Sequence, residues 1–210
     1  MIVVVDYGMG NLRSVSKALE SLGASVRVSG DPAEVSRADK LILPGVGAFQ
    51  AAMRELSARG LVESVRRAIA QGTPYLGICL GLQLLFEESE EGKGVAGLGV
   101  LRGRVRRFDP SGHGLKVPHM GWNQIARRQE AVSSRPNGCP VLEGIPDGSF
   151  VYFVHSYYAE PTDPSVTALE TDYGGRFASM VWRDNLYATQ FHPEKSQAVG
   201  LRLLKNFIDL

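Results

Sequence analysis

The chain has 210 residues, 44% of them hydrophobic, 21% charged and 8% aromatic, a length that fits one compact α/β domain, or at most one and a half ordinary ones, with a sizeable core. Its 23 Lys and Arg face 22 Asp and Glu for a formal charge of +1, so no global field favours nucleic acid or an anionic membrane surface as a partner. The opening segment lacks a basic n-region, its apolar run stops at Asp6, and no stretch approaches the ~20 apolar residues of a membrane span; a soluble, cytoplasmic protein is expected.

In chain order, the first elements alternate short apolar runs with amphipathic stretches. Residues Ile2–Val5, 26–28, 41–43 and Tyr75–Cys79 read as strands, the rhythm of a parallel sheet. Leu12, Val15, Ala18, Leu19 and Leu22 repeat at helical spacing between the first two, with Asn11 placed to cap the start and Gly23 to end the helix. Asp31-Pro32-Ala33-Glu34 carries a cap, a first-turn proline and an acid, the signature of a second helix start. Residues 82–87 read as a helix beginning after the fourth strand. Beyond Gly92 the strands at 100–108, 150–157, 166–169, 178–182 and 186–190 are separated by Pro/Gly turns, which predicts a more antiparallel half on the same sheet. From Ser196, the spacing of Val199, Leu203, Phe207 and Leu210 predicts a closing amphipathic helix. The fold class is α/β: a mostly parallel central sheet flanked by helices, with antiparallel strands in the second half, and one domain over 1–210.

The two cysteines, Cys79 and Cys139, show neither CxxC nor His-rich ligand spacing, so no disulfide scaffold or metal site is expected. Cys79 lies in Gly77-Ile78-Cys79-Leu80-Gly81, the cysteine form of the nucleophile elbow, in which a sharp strand-to-helix turn exposes the reactive atom and flanking side chains would clash. A helix N-terminus behind the sulfur would favour thiolate. A buried core cysteine is the plainer alternative. Cys139, between Gly138 and Pro140, reads as an inert loop thiol.

A thiolate in acyl transfer needs a general base, and the histidines are His113, His119, His155 and His192. His192 in Gln190-Phe191-His192-Pro193-Glu194 follows an apolar strand, where α/β sheets expose residues at their carboxyl edge. In extended chain Glu194 would share its side and could orient the imidazole; a His-Pro-Glu turn with a solvated carboxylate is the alternative. Oxyanion donors are available at the Leu80 amide and at Pro44-Gly45-Val46-Gly47, although such a tetrad is also an ordinary turn. Arg102, Arg104, Arg106 and Arg107 form either a phosphate or RNA patch or a solvated sheet face, and without interleaved aromatics the second reading is preferred.

These residues resemble the class I (triad) glutamine amidotransferases, and within them the glutaminase subunits of imidazole glycerol phosphate synthases. Asp6-Tyr7-Gly8-Met9-Gly10-Asn11, the Gly45 tetrad, the elbow, Pro118-His119-Met120-Gly121-Trp122-Asn123, Tyr152-Phe153-Val154-His155-Ser156-Tyr157 and Phe191-His192-Pro193-Glu194-Lys195-Ser196 carry the likeness nearly end to end. The resemblance implies a cofactor-free enzyme that releases ammonia from L-glutamine and passes it to a separate (β/α)₈-barrel cyclase in a heterodimer. The cyclase converts a phosphoribulosyl-formimino carboxamide nucleotide (PRFAR) to imidazole glycerol phosphate and an aminoimidazole carboxamide ribotide (AICAR), a step of histidine biosynthesis. It implies Cys79 as nucleophile, His192 held by Glu194 as acid and base, and Gly45, Val46, Gly47 and Leu80 as oxyanion backbone. Gln83, Glu91, Ser156 and Tyr157 would hold the amino-acid head of glutamine, with a solvated acidic face as the alternative for Glu91. Met9, Asn11, Trp122, Asn123, Tyr152 and Lys195 would line the contact with the cyclase, with ordinary core packing as the alternative for the two aromatics. The resemblance also implies a poor glutaminase in the absence of the cyclase. Other readings are the glutaminase of an anthranilate or pyridoxal phosphate synthase, a catalytically silent module of the same fold, and a cysteine peptidase or esterase on the same elbow.

Overall fold

Strands β1 (Ile2–Val5), β2 (Val26–Ser29), β3 (Lys40–Gly45) and β4 (Tyr75–Cys79) form where the apolar runs predicted them. The structure is a computed structural model that describes residues 1–92, 94–109, 111, 115–128 and 138–210. The remaining strands are β5 (Glu88–Ser89), β6 (Gly103–Arg107), β7 (His119–Gln124), β8 (Ala126–Arg127), β9 (Phe150–His155), β10 (Tyr157–Pro161), β11 (Thr167–Asp172), β12 (Arg176–Arg183) and β13 (Leu186–Thr189). Among the described residues the main sheet runs β2-β1-β3-β4-β13-β12-β10-β6-β5, with β11 and β8 attached to the side of β12. Neighbours from β2 to β13 are parallel and the turn to antiparallel pairing comes at β12.

Side-chain alternation divides the parallel strands between two cores. Val3, Val5, Leu41 and Leu43 pack under α2 (Pro32–Ser36), α3 (Phe49–Ala58) and α4 (Leu61–Ala70), whereas Ile2, Val4 and Ile42 face α1 (Leu12–Ser21) and α6 (Gln197–Asp209). This is the doubly wound arrangement, which opens ligand sites at the carboxyl ends of the strands. Asp31 caps α2 as predicted, its carboxylate accepting from the Ala33 amide at 2.8 Å. Gly23 ends α1 at φ +85°, its amide donating to the Glu20 carbonyl. Asn11 sits at the N-cap of α1, but its side chain makes no capping bond.

Two expectations are corrected. The helix expected over 82–87 is instead α5 (Leu80–Gln83). It ends early because the carbonyls of Leu84, Leu85 and Phe86 accept from the amides of Leu98, Val100, Leu101 and Gly99, so a crossing loop takes the bonds that another helical turn would need. The run 150–157 is two strands: β9 pairs with β7 in a separate two-stranded sheet, β10 joins the main one, and Ser156 lies at the switch. The second half therefore does not all continue the same sheet. Cys139 does lie in irregular chain, just before the 3-10 turn Pro140–Leu142, and is buried there, 7% exposed among apolar side chains. The arginine cluster is an ion-paired sheet face: Arg104 and Arg106 both hold Glu160, at 2.9 and 3.1 Å. No described helix is long and apolar enough to cross a membrane.

Candidate active site

The ends of β3, β4 and β13 meet at one cavity of about 300 Å³, within the usual range for small-ligand sites. Its walls include Val46, Gly47, Cys79, Leu80, Gln83, Glu91, Ser156, Tyr157 and His192. The predicted catalytic and glutamine-holding residues thus converge from segments far apart in sequence, apart from Glu194, which stands behind His192.

Cys79 ends β4 with φ +56° and ψ −109°, a conformation that L side chains rarely adopt. Close packing enforces it. A Cβ on Gly81 would come within 1.9 Å of the Leu43 carbonyl oxygen, and one on Gly77 within 2.6 Å of the Gly81 oxygen. The turn is also held by the buried Tyr75 hydroxyl, which donates to the Gly81 carbonyl at 3.1 Å. The helix behind the sulfur has only four residues, so its macrodipole is a small contribution and the nearby side chains dominate the local field.

His192 Nδ1 and Glu194 Oε1 are 2.8 Å apart, with both side chains 2% exposed or less. The pairing is as expected but the backbone is not: Pro193–Lys195 is a turn of 3-10 helix rather than extended chain. Ser196 staples that turn to β9, its hydroxyl donating to the His192 carbonyl at 2.6 Å and accepting from the Tyr152 amide at 3.0 Å. Burial alone would lower the His192 pKa, but the Cys79 sulfur and the Glu194 carboxylate outweigh it and raise it to about 10. Among the described residues His192 Nε2 is buried without a hydrogen-bond partner, facing the cavity it shares with Cys79. This geometry lets an imidazolium held by a carboxylate give a proton to a group bound in the cavity.

Gly45 pairs with Cys79 across β3 and β4, and a Cβ on it would lie 2.6 Å from the Tyr7 hydroxyl. Gly47 adopts φ +90°, and Leu80, in the first turn of α5, has an amide with no intrahelical acceptor. Glu91 does not belong to a solvated acidic face: it lines the cavity, and its Oε2 accepts from the Phe49 amide at the start of α3, 2.7 Å away. Gln83 is buried and donates to the Tyr157 carbonyl and to Gln190 Oε1. Two residues that the sequence reading did not single out also sit here. Tyr7 is fully buried, its hydroxyl without a hydrogen-bond partner among the described residues, and its pKa is pushed well up by burial and by Cys79. Gln190, 0% exposed, donates from Nε2 to Cys79 Sγ at 3.7 Å. A glutamine directly after β13, whose Leu186, Tyr187 and Ala188 are buried, was the available signal for the second.

Of the other histidines, His113 lies outside the described residues. His119 and His155 are buried beside the site, His119 Nδ1 being 3.0 Å from His155 Nε2 and His155 Nδ1 2.8 Å from the Tyr157 carbonyl. A carbonyl only accepts, so His155 carries its proton on Nδ1, accepts on Nε2 from His119 Nδ1–H, and both rings are neutral. Burial lowers the pKa of His119 to about 4 and, with smaller contributions from the other histidines, that of His155 to about 3. Below pH ~6.5 the unfolded chain binds protons that the folded one refuses. Stability is therefore expected to fall as pH drops from 6.5 towards 4, with a Tm at pH 5 lower than at pH 7 by on the order of 5 °C. Thermal melts of a His155→Gln variant should show a shallower slope across that window; an unchanged slope would contradict the assignment.

On the outer side, β7 and β9 present Met120, Trp122, Phe150 and Tyr152 on one face. Met120, Trp122 and Phe150 are 62%, 46% and 54% exposed, which excludes core packing for the tryptophan. The Trp122 and Tyr152 rings meet edge to face at 6.1 Å, and Lys195 Nζ is 5.8 Å from the Tyr152 ring centre. Met9 and Asn11 are half-buried, and a Cβ on Gly47 would touch Met9 Cε at 2.9 Å. Asn123 turns inward, its Nδ2 donating to the Asp172 carbonyl at 2.9 Å and to His119 at 3.3 Å.

Residues 3–210 match the family model for glutamine amidotransferase class-I. The chain is 57% identical to the imidazole glycerol phosphate synthase subunit HisH of Syntrophotalea carbinolica, over 100% of both chains. It is 51% identical to the protein of the same name from Geobacter sulfurreducens, over 98% of this chain and 97% of that one. A solved glutamine amidotransferase shares the fold with a TM-score of 0.74 at 20% identity, over 100% of this chain and 98% of the other. The chain belongs to the class I glutamine amidotransferase family.

Proposed function

We propose that the chain is the glutaminase subunit of imidazole glycerol phosphate synthase, that residues 1–210 act as a single amidotransferase domain, and that it works in the cytoplasm in a heterodimer with a (β/α)₈-barrel cyclase. The observation that carries the reading is the convergence of Cys79 and the His192–Glu194 pair on one small cavity at the carboxyl edge of the sheet. In the proposed cycle Cys79 Sγ attacks the side-chain carboxamide carbon of L-glutamine, and the oxyanion is met by backbone N–H groups of 45–47 and Leu80. His192 donates the proton with which ammonia leaves, forming a thioester. It then takes a proton from water as water attacks, releasing glutamate and restoring the sulfur. Gln83, Glu91, Ser156 and Tyr157 surround the space left for the amino-acid head, and Glu91 would attract its ammonium group.

Ammonia freed in water is protonated and lost, so a closed path to the acceptor favours a docked partner. The aromatic face of β7 and β9, with Met9, Asn11 and Lys195 around it and Asn123 bonded to the opposite, inner side of β7, is the surface proposed for that partner, which would convert PRFAR to imidazole glycerol phosphate and AICAR in histidine biosynthesis. The test is glutamate release by the full chain, alone and with a barrel cyclase and its nucleotide. Turnover should rise with the cyclase present, and Trp122→Ala should weaken association by roughly 10–100-fold, as loss of an interface aromatic does. Equal turnover with and without the cyclase, or unaltered association of the variant, would count against this reading.

A further inference from the structure

We propose that Gln190 is a positioning residue for the nucleophile: it holds the Cys79 sulfur from behind through a side-chain N–H whose direction is dictated by Gln83 and the Tyr157 carbonyl. The proposal rests on Cys79 being the nucleophile. Gln190 is absent from the cavity wall and 0% exposed, so it reaches the sulfur without touching a bound substrate. It follows β13, whose Thr189 pairs with Ile78 beside Cys79, and its amide donates to the Ser179 carbonyl of β12 at 2.9 Å. The residue is thus carried by two strands of the central sheet.

The polarity of the contact follows from a single backbone group. The Tyr157 carbonyl can only accept, so the end of the Gln83 side chain 2.9 Å from it is Nε2. The second N–H of that amide points at Gln190, 3.0 Å away, which must present Oε1. Gln190 Nε2 is then left facing Cys79 Sγ at 3.7 Å. The same Tyr157 carbonyl accepts from His155, which is held through His119 to Asn123 on β7. One oriented chain of hydrogen bonds therefore links the sulfur to the two-stranded sheet.

A neutral amide donor suits this place. It stabilises negative charge on a buried sulfur, it has no proton to transfer, and it competes with the Val154 carbonyl, 4.0 Å from Sγ, for control of the side-chain direction. His192 is left free for proton transfer.

The test uses two variants of nearly wild-type volume and follows the pH dependence of Cys79 alkylation by iodoacetamide, with Cys139 replaced by alanine throughout. Gln190→Glu keeps an acceptor for Gln83 but puts a carboxylate against the sulfur; its alkylation profile should move to higher pH, with about a tenfold or greater loss of rate at pH 7. Gln190→Met removes the donor without adding charge and should show a smaller shift in the same direction. Both should lower kcat for glutamine more than they raise KM. In the wild-type chain, whatever the variants do, the Gln190 side-chain amide resonance should shift when Cys79 is alkylated. Wild-type profiles in folded variants, or a silent amide resonance, would overturn the proposal. Full glutamine hydrolysis after complete alkylation of Cys79 would overturn the assignment of the nucleophile instead, so the two failures are distinguishable.

Discussion

Cys79→Ala is expected to abolish glutamine hydrolysis, lowering kcat by about 10⁴-fold or more, because the remaining groups can polarise and bind the amide but none can form the thioester. The fold should survive, since the substitution removes one buried sulfur and leaves the elbow glycines in place. A second consequence concerns His192. Contact with Cys79 and Glu194 raises its pKa to about 10 against the opposing effect of burial. The favourable charged state stabilises the folded enzyme fully below the unfolded value of ~6.5 and is lost as pH rises towards 10. Without the sulfur, part of that upward shift goes, so the alkaline loss of stability, which starts from the same unfolded value, should be smaller and end at a lower pH in Cys79→Ala than in wild type. Glutamate release by a coupled assay, with thermal melts from pH 6 to 10, checks both parts. Retained turnover would remove Cys79 from the chemistry, and identical alkaline melts would deny its coupling to His192.

The second large effect concerns structure. Gly81→Ala would set a Cβ 1.9 Å from the Leu43 carbonyl oxygen, a backbone atom in the middle of the parallel sheet that cannot step aside. Destabilisation on the order of 3 kcal/mol or more is expected, a fall in Tm of roughly 10 °C, and any folded remainder should be inactive because the turn that exposes Cys79 has shifted. Gly72→Ala is the control. It has positive φ but nothing within 4 Å of the added carbon, so its cost should be only about 1 kcal/mol, with activity retained. Gly81 itself has helical backbone and no positive φ, so similar losses in the two variants would contradict the close approach of α5 to β3 as what requires glycine there.

The parallel half and the elbow were legible in the sequence because each rests on local chemistry. Short apolar runs bounded by turn residues read as strands, Asp31 and Gly23 mark helix ends by their own backbone preferences, and glycine at ±2 from Cys79 answers a local steric demand. His192 and Glu194, two residues apart, could be paired without knowledge of the fold, although the turn that pairs them is helical and not extended.

Only tertiary structure decided the rest. Whether residues 84–86 continue a helix depends on amides from 98–101, and whether 150–157 is one strand depends on which of two sheets each half joins. Glu91 is drawn inward by the Phe49 amide, an interaction across 42 positions. Gln190 reads as an ordinary polar residue until Gln83, 107 positions away, turns its amide towards the sulfur. The sequence by itself determined the four strands of the first half and picked out the cysteine and histidine that meet at the cavity, since those follow from periodicity and backbone sterics over a few residues. The direction in which each buried polar group points was settled by the folded chain, because a hydrogen bond between distant segments exists only once both have been placed.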